Sequence, residues 1–297
     1  MKSIAQLAAF AAAAALTALP SSVRASRFPP LNTPSVAQHH PGKLVWADLF
    51  TTDPDAAATF YCSLLGWSAT AVEHRDRDYT VFTNAGRPVA GLAPRPARGA
   101  RHPSRWIGYL AVADIATTLQ TAAAQGGVVR APSRNFPDRG FQAIIADRDG
   151  IPMGLLQSSS GDAPDDEPAP GDWNWFELYV AHPNASAHFY RSVFGFAVAP
   201  DVNSDPKTHV VLSSDGVARG GIAPLPPGED AAPSWLGVIR VADLDQTLAK
   251  VPALGGEVLV APHSAEQGSR FAIIMDSTGG TVGLVQYVNN ANPADRQ

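Results

Sequence analysis

The chain has 297 residues, of which 45% are hydrophobic, and this much apolar material supports two packed domains and excludes a wholly disordered protein. Its formal net charge is −5 and it has no block of Lys or Arg, which argues against a nucleic-acid partner because phosphate binding requires clustered positive charge. Cys62 is the only cysteine, so an intramolecular disulfide is excluded.

Residues 1–25 have the pattern of a secretory signal peptide. Lys2 supplies a positive charge, residues 4–19 are apolar, and Ala25 ends a small-x-small cleavage site. The apolar run is short for a membrane span, and an uncleaved anchor helix is the alternative. We therefore expect the mature chain to begin near Ser26, to be exported to the periplasm or the extracellular space, and to have no membrane span after cleavage.

A unit of one strand, one helix and three strands follows a lead-in at residues 26–41 that is predicted to be disordered. Residues 43–51 alternate as a strand, and Asp53 then caps a helix that Gly66 ends. The unit is repeated once, with Asp114 as the next helix cap. The other strands are predicted at 68–73, 79–84, 88–93, 106–113, 127–130, 140–146 and 153–157.

The whole pattern recurs 129 residues later, as the spacing from Asp48 to Glu177 and from Asp147 to Asp276 shows. Further pairs in the same register are Phe60 and Phe189, Tyr61 and Tyr190, Trp106 and Trp235, Gly126 and Gly255, and Gln157 and Gln286. One register over so many pairs indicates a duplicated domain. The predicted fold class is α+β, with tandem domains at 42–158 and 171–288, a linker at 159–170 and a tail at 289–297.

A set of motifs accompanies the repeated unit. In the first copy these are Val45-Trp46-Ala47-Asp48-Leu49, Asp53-Pro54, Phe60-Tyr61, Gly66-Trp67, Val112-Ala113-Asp114, Gly126-Gly127 and Asp147-Arg148-Asp149-Gly150. With these motifs the chain resembles the vicinal oxygen chelate superfamily, which includes glyoxalase I, bleomycin-resistance proteins and extradiol dioxygenases. The resemblance implies that the two units of each domain form a cup of strands. It does not indicate the reaction, because this fold hosts many activities.

The resemblance also implies where a metal would be held. Metal-dependent members place one ligand seven residues before the helix cap, and here those positions are Trp46, Ile107, Trp175 and Leu236. A second ligand, usually Glu, lies near the end of a last strand, where this chain has Gly154 and Gly283, with Gly91 and Gly221 near the strand ends of the other units. None of these side chains can bind a divalent cation, so we predict no metal and no cofactor.

Strand alternation predicts which side chains face the cups. The residues assigned to the core beneath the helices are Val45, Ala47, Leu49, Phe176, Leu178 and Val180. The residues assigned to the first cup are Trp46, Asp48, Phe50, Ile107 and Tyr109, and those assigned to the second are Trp175, Glu177, Tyr179, Leu236, Val238 and Arg240. Each cup thus presents a Trp two residues before a carboxylate.

Two interpretations of these cups are open. In the first, they are ligand sites lined by Trp46, Phe50, Tyr109, Trp175, Tyr179 and Arg240, with Asp48 and Glu177 as possible catalytic bases. In the second, the carboxylates are structural, and Arg240 pairs with Glu177. His209 lies near a predicted strand start and could reach a cup mouth. Its partner at the 129-residue spacing is Thr80, so no duplicated metal site is implied.

The leading hypothesis is an exported protein that binds a small molecule in an aromatic-lined cup without the usual metal of its fold. The alternative is a lyase, isomerase or dioxygenase that uses a relocated metal or an acid-base carboxylate, and a third hypothesis is a structural or partner-interaction module. We expect a small-molecule ligand, no nucleic acid, and a monomer or weak homodimer.

Overall fold

The structure is a computed structural model that describes residues 28–74, 77–96, 104–201, 209–225, 232–264 and 268–287. The predicted signal peptide, its cleavage site and the predicted tail at 289–297 lie outside these ranges. Within the described part of the chain, no helix is both long and apolar enough to cross a membrane.

The first domain consists of one mixed sheet of eight strands and two helices. Its elements are β1 Leu44–Thr51, α1 Pro54–Leu65, β2 Ser68–His74, β3 Arg77–Asn84, β4 Arg87–Pro94, β5 Arg105–Ala111, α2 Ile115–Ala124, β6 Val128–Phe136, β7 Gly140–Ala146 and β8 Pro152–Ser158. The strand order is β2-β3-β4-β1-β5-β8-β7-β6. The two units therefore meet at the antiparallel β1–β5 pair, and within each unit the first and last strands are parallel.

The second domain repeats this architecture. Its elements are β9 Trp173–Val180, α3 Pro183–Phe194, β10 Ala197–Pro200, β11 Val210–Ser214, β12 Val217–Pro224, β13 Ser234–Arg240, α4 Leu244–Lys250, a 3-10 helix Pro252–Leu254, β14 Glu257–Ser264, β15 Ser269–Met275 and β16 Thr281–Tyr287. The order β10-β11-β12-β9-β13-β16-β15-β14 matches that of the first sheet. The prediction of two tandem α+β domains is confirmed.

The helix boundaries follow from the capping residues that the sequence indicates. The side chain of Asp53 accepts a hydrogen bond from the backbone of Ala56 at 3.1 Å, and Asp114 caps α2 in the same way. Gly66 ends α1 in the left-handed region, with a φ of 74° that favours glycine. His182 occupies the cap position of α3 without a side-chain hydrogen bond.

Both hydrophobic cores are shared between the domains. The first core joins the first unit of domain 1, including Leu49 and Phe60, to the second unit of domain 2, including Leu244 and Ile274. The second core joins the second unit of domain 1 to the first unit of domain 2. All four helices lie on these shared faces. The opposite face of each sheet carries the side chains predicted to line a cup. We name the face with Trp46 and Asp48 cup 1 and the face with Trp175 and Glu177 cup 2.

The lead-in differs from the disordered segment that the sequence predicts. Residues 28–41 contain neither helix nor strand, but they are packed against the first domain. Phe28 and Leu31 are buried, and the backbone of Val36 donates to the carbonyl of Ser160 at 2.9 Å. A segment without periodicity can therefore be ordered by a surface that lies far away in sequence.

Candidate functional site

The alternation along β1 places two sets of side chains on opposite faces. Ala47 and Leu49 pack in the first shared core, while Trp46 belongs to the hydrophobic cluster of cup 1. Val45 was expected beneath the helix, and this prediction is wrong. The β1–β5 register shifts between Leu44 and Trp46, and this irregularity leaves Val45 packed against the cup cluster.

A buried polar group lies at the centre of cup 1. Oδ1 of Asp48 accepts hydrogen bonds from Nε1 of Trp46 at 2.8 Å and from the hydroxyl of Tyr79 at 2.6 Å. Burial raises the pKa of Asp48, while hydrogen bonds from Tyr79, Tyr109 and Trp46 and the charge of Arg139 oppose that rise. Burial also raises the pKa of both tyrosines well above the ordinary value, so their hydroxyls remain donors at neutral pH.

The lead-in fills cup 1. The Phe28 ring lies 4.6 Å from the Tyr79 ring and 4.8 Å from the Phe136 ring, between centroids. Leu31 is in the same cluster. As a result Trp46 is only 1% exposed, so a ligand could not reach it without displacing the lead-in.

Arg139 is a further residue of cup 1 that the sequence did not reveal. It lies in the turn between β6 and β7 and is fully buried, and its guanidinium carbon lies 3.9 Å from the centroid of the Trp46 ring. Nε donates to the carbonyl of Pro29 at 2.7 Å. The residue 129 positions later is Gly268, so the duplication offered no signal for a paired function.

Cup 2 has a more polar centre. Oε2 of Glu177 accepts from Nε1 of Trp175 at 2.6 Å, and Oε1 lies 2.9 Å from Nε2 of His209. Nδ1 of His209 lies 2.8 Å from Oδ2 of Asp201. A doubly protonated imidazole would donate to both carboxylates at once. The arrangement is therefore a chain of polar contacts that runs from Asp201 through His209 and Glu177 to Trp175.

His209 and Tyr79 are structural equivalents. Each lies one residue before the segment of its strand that pairs with the last strand of the unit, and each contacts the carboxylate of the first strand. The sequence comparison paired His209 with Thr80 because it kept the 129-residue spacing. The parallel pairs Asp48–Gly91 and Glu177–Gly221 show that the spacing in β12 is 130 residues, from 91 to 221. One added residue before β11 therefore hid the match.

The structure separates Arg240 from Glu177, contrary to the predicted pairing. Glu177 is opposite Leu236 in the β9–β13 register, so Arg240 lies four residues farther along the strand and beyond an irregularity after Val238. Its guanidinium instead binds Glu167 of the linker at 2.6 Å and lies 5.3 Å from the centroid of the Tyr287 ring.

The two other predicted ligand residues, Tyr179 and Phe50, are both half-buried. Tyr179 is half-buried, and burial together with the charge of Glu177 raises the pKa of its hydroxyl to about 12. Phe50 is half-buried near the end of β1, opposite Arg105. The described residues therefore place Tyr179 near the carboxylate of cup 2, whereas Phe50 lies two residues beyond Asp48.

The glycines at or near the former ligand positions do not leave free room, although a glycine is smaller than the Glu that metal-dependent relatives carry. A methyl group at Gly154 would overlap the ring of Tyr109, and one at Gly91 would overlap Asp48 and the Tyr79 hydroxyl. In cup 2, Gly283 lies beneath the Phe271 ring in the same way. The space has been taken by aromatic side chains that pack onto the bare backbone.

The residues of the cups do not fit the metal of metal-dependent relatives. Trp46 and Trp175 stand where those relatives carry a ligand, and Gly91 is opposite Asp48. Within the described ranges there is no group of three or more His, Cys, Asp or Glu side chains that could hold a metal ion. His209 uses both ring nitrogens for carboxylates and has none left for coordination. We therefore derive no chemical step through a metal.

A groove of about 450 Å³ borders cup 1. It is formed by the lead-in, the starts of β1 and β4 and the linker, and its lining includes Lys43, Arg87 and Asp172. Arg87 and Asp172 are joined by an ion pair at 2.6 Å, and Lys43 binds two linker carbonyls. These contacts hold the linker against the first domain.

Comparison with known families supports the fold. A family model described as the Glyoxalase/Bleomycin resistance protein/Dioxygenase superfamily matches residues 43–154 and 173–284. The chain is 29% identical over 257 residues to "Putative glyoxylase CFP32" of Mycobacterium bovis, covering 85% of this chain and 98% of that protein. It is 28% identical over 268 residues to the anthracycline biosynthesis protein DauV of Streptomyces sp., covering 86% and 96%.

Among solved structures, the chain is similar to the Mn(II)-bound glyoxalase from Novosphingobium aromaticivorans. The TM-score is 0.61, with 15% sequence identity and coverage of 87% of this chain and 86% of that one. At this level of identity the likeness concerns the fold alone.

Proposed function

This chain belongs to the Glyoxalase/Bleomycin resistance protein/Dioxygenase superfamily, and within that family we propose that it binds a small aromatic molecule in cup 2 without a divalent metal. The observation that carries the proposal is the difference between the cups. Cup 1 is filled by its own lead-in, whereas Trp175 and Tyr179 of cup 2 are only half-buried and the His209 side chain is 22% exposed. Partly exposed aromatic walls around a few polar anchors are the usual composition of a small-molecule site.

The anchors of cup 2 determine the kind of ligand. Glu177 offers an acceptor, because each of its carboxylate oxygens can accept a further bond beyond the contact with Trp175 or His209. A planar ligand that carries hydroxyl groups would stack on Trp175 and donate a hydrogen bond to Glu177. The Streptomyces relative named for anthracycline biosynthesis supports the choice of a polycyclic phenol as the first candidate.

A calorimetric titration of the purified protein with an anthracycline tests the proposal. We expect Trp175→Ala to weaken binding by about 1–3 kcal/mol, the usual value for a desolvated aromatic anchor. Glu177→Gln keeps the shape and removes the charge, so it should weaken binding without loss of the fold. Trp46→Phe, at the equivalent position of cup 1, is the matched control and should leave the affinity unchanged. Absence of binding, or equal losses in the Trp46 and Trp175 variants, would contradict the proposal.

Catalysis by proton transfer is a second candidate, favoured by the contact of His209 with Glu177. A carboxylate backed by a histidine can remove a proton next to a carbonyl and return it. The signature of this step is deuterium uptake into a carbonyl-containing ligand in D₂O, followed by NMR. We expect Glu177→Gln to abolish the uptake while some affinity remains. Uptake at the same rate in Glu177→Gln would exclude Glu177 as the base.

We also propose that the protein acts outside the cytoplasm. The support is the charge and hydrophobicity pattern of residues 1–25.

A further inference from the structure

The guanidinium of Arg139 is fully buried, yet its two terminal nitrogens have no hydrogen-bond partner among the described residues. A buried cation with unsatisfied N–H groups is costly, because it loses its hydration without replacing it. Asp48 does not serve as the missing partner. Its Oδ1 accepts hydrogen bonds from Trp46 and Tyr79. No carboxylate oxygen of Asp48 lies within 4.0 Å of a side-chain nitrogen of Arg139. The two terminal nitrogens of Arg139 are therefore free to donate hydrogen bonds to an acceptor that the described residues do not supply.

Residues of the lead-in occupy the place beside this guanidinium that a ligand would take. The Phe28 ring lies among Tyr79, Phe136 and the guanidinium, whose carbon is 5.8 Å from the ring centroid. The carbonyl of Pro29 takes the remaining donor, Nε. Phe28 and Pro29 thus present an aromatic ring and, a few bonds away, an oxygen acceptor. They satisfy one of the three guanidinium nitrogens and leave the other two unpaired.

The lead-in is anchored behind this point. Asn32 donates to the Gly161 carbonyl at 2.7 Å and its backbone donates to Ser160 Oγ at 3.1 Å. Val36 is bonded to the Ser160 carbonyl. These bonds hold the chain from residue 32 onwards, so residues 28–31 can leave cup 1 without breaking them.

From these contacts we propose that cup 1 is a second binding site, selective for a small aromatic carboxylate, and that residues 28–31 occupy it as an intramolecular competitor. The ring of the ligand takes the place of Phe28 on Tyr79 and Phe136. Its carboxylate accepts from both terminal nitrogens of Arg139, which is the bidentate geometry that a guanidinium favours. The ligand also supplies a negative charge beside a buried positive one. This site is independent of the one proposed in cup 2.

Binding of 3-phenylpropanoate, measured by calorimetry on the whole chain, tests the proposal. We expect Phe28→Ala to bind it at least ten times more tightly than the unaltered protein, because the competitor has lost its ring. The neutral analogue 3-phenylpropanamide should bind Phe28→Ala at least ten times more weakly than the acid does. Phe141→Ala, which removes an exposed ring on β7, is the matched control and should behave as the unaltered protein.

A double variant identifies the group that recognises the carboxylate. The double variant Phe28→Ala/Arg139→Lys keeps a positive charge but removes the paired N–H donors of the guanidinium. It should retain the fold and lose the preference for the acid over the amide. Equal affinities of Phe28→Ala and the unaltered protein, equal binding of acid and amide to Phe28→Ala, or no binding in any variant would overturn the proposal.

Discussion

The hydroxyl of Tyr61 on α1 donates a hydrogen bond to Oδ2 of Asp276 at 2.8 Å, although the two residues belong to different domains. The duplicated pair repeats it in the opposite direction, with Tyr190 bonded to Asp147 at 2.8 Å. Each tyrosine hydroxyl also accepts a bond from a tryptophan of its own domain, Trp106 or Trp235. Each tyrosine of a shared core is thus bonded to an aspartate of the other domain, and the two domains exchange roles between the two bonds.

We expect Tyr61→Phe and Tyr190→Phe each to destabilise the whole protein. Each change leaves a buried carboxylate oxygen and a tryptophan N–H without their partner, which costs about 1–3 kcal/mol. Urea unfolding monitored by circular dichroism measures this. Tyr287→Phe is the control, because among the described residues its hydroxyl bonds to the half-buried Asn174 and its loss should cost less. A single domain that unfolds on its own in Tyr61→Phe would contradict the idea of shared cores.

The two site tryptophans should differ in their contribution to stability. Trp46 is buried beneath the lead-in, so Trp46→Ala should cost about 3–5 kcal/mol, the range of large core truncations. Leu49→Ala, in the shared core, should cost about 2–5 kcal/mol. Trp175 is half-buried, and Trp175→Ala should cost only about 1–2 kcal/mol of free energy of unfolding. Equal losses for the two tryptophan variants would show that the cups are equally filled.

The charge of Asp48 should make stability depend on pH. Its pKa is raised by burial above the ordinary value of 3.8 in the folded state. The folded protein therefore binds more protons than the unfolded chain above that value, and stability falls as pH rises through the folded pKa. Asp48→Asn lacks this effect. We expect the stability of Asp48→Asn relative to the unaltered protein to improve as pH rises from 4 upward, in denaturation curves taken at several pH values. A pH-independent difference would mean that Asp48 keeps its ordinary pKa.

The purified mature protein should contain no stoichiometric divalent metal. The four positions that hold a first-strand ligand in metal-dependent relatives are Trp46, Ile107, Trp175 and Leu236, and none of these side chains coordinates metal. Elemental analysis of protein purified without chelators measures this. About one tightly held Zn, Fe, Mn or Ni per domain would overturn the prediction.

The mature chain should begin near Ser26 and be found outside the cytoplasm, because residues 1–25 have the order of charge, apolar run and small-residue cleavage site that signal peptidases recognise. N-terminal sequencing of protein from the native cell, together with cell fractionation, measures both. Native protein that retains Met1 or Lys2 would contradict the prediction.

Local patterns in the sequence were sufficient for the fold. Alternation located the strands, Asp53 and Asp114 located the helix starts, and Gly66 located a helix end, because each depends on a few neighbouring residues. The 129-residue register revealed the duplication. Strand alternation also placed Trp46 and Asp48 on one face of β1, because it is a local property of the strand.

Tertiary structure decided what each cup contains. Phe28 of the lead-in and Arg139 of the turn before β7 lie in the same cup, although they are far apart in sequence. No repeat or periodic pattern in the sequence connects the two residues. The register shift beside Val45 altered which side chain of β1 faces cup 1, and it arises from the pairing of β1 with β5 rather than from either strand alone. The residue added before β11 is present in the sequence, but only the strand pairing showed that it brings His209 to the place of Tyr79. A contact between residues far apart in sequence depends on how the whole chain closes its loops and fills its cores. For this reason the sequence identified the Trp–carboxylate pairs, and only the folded chain distinguished a filled cup from a partly exposed one.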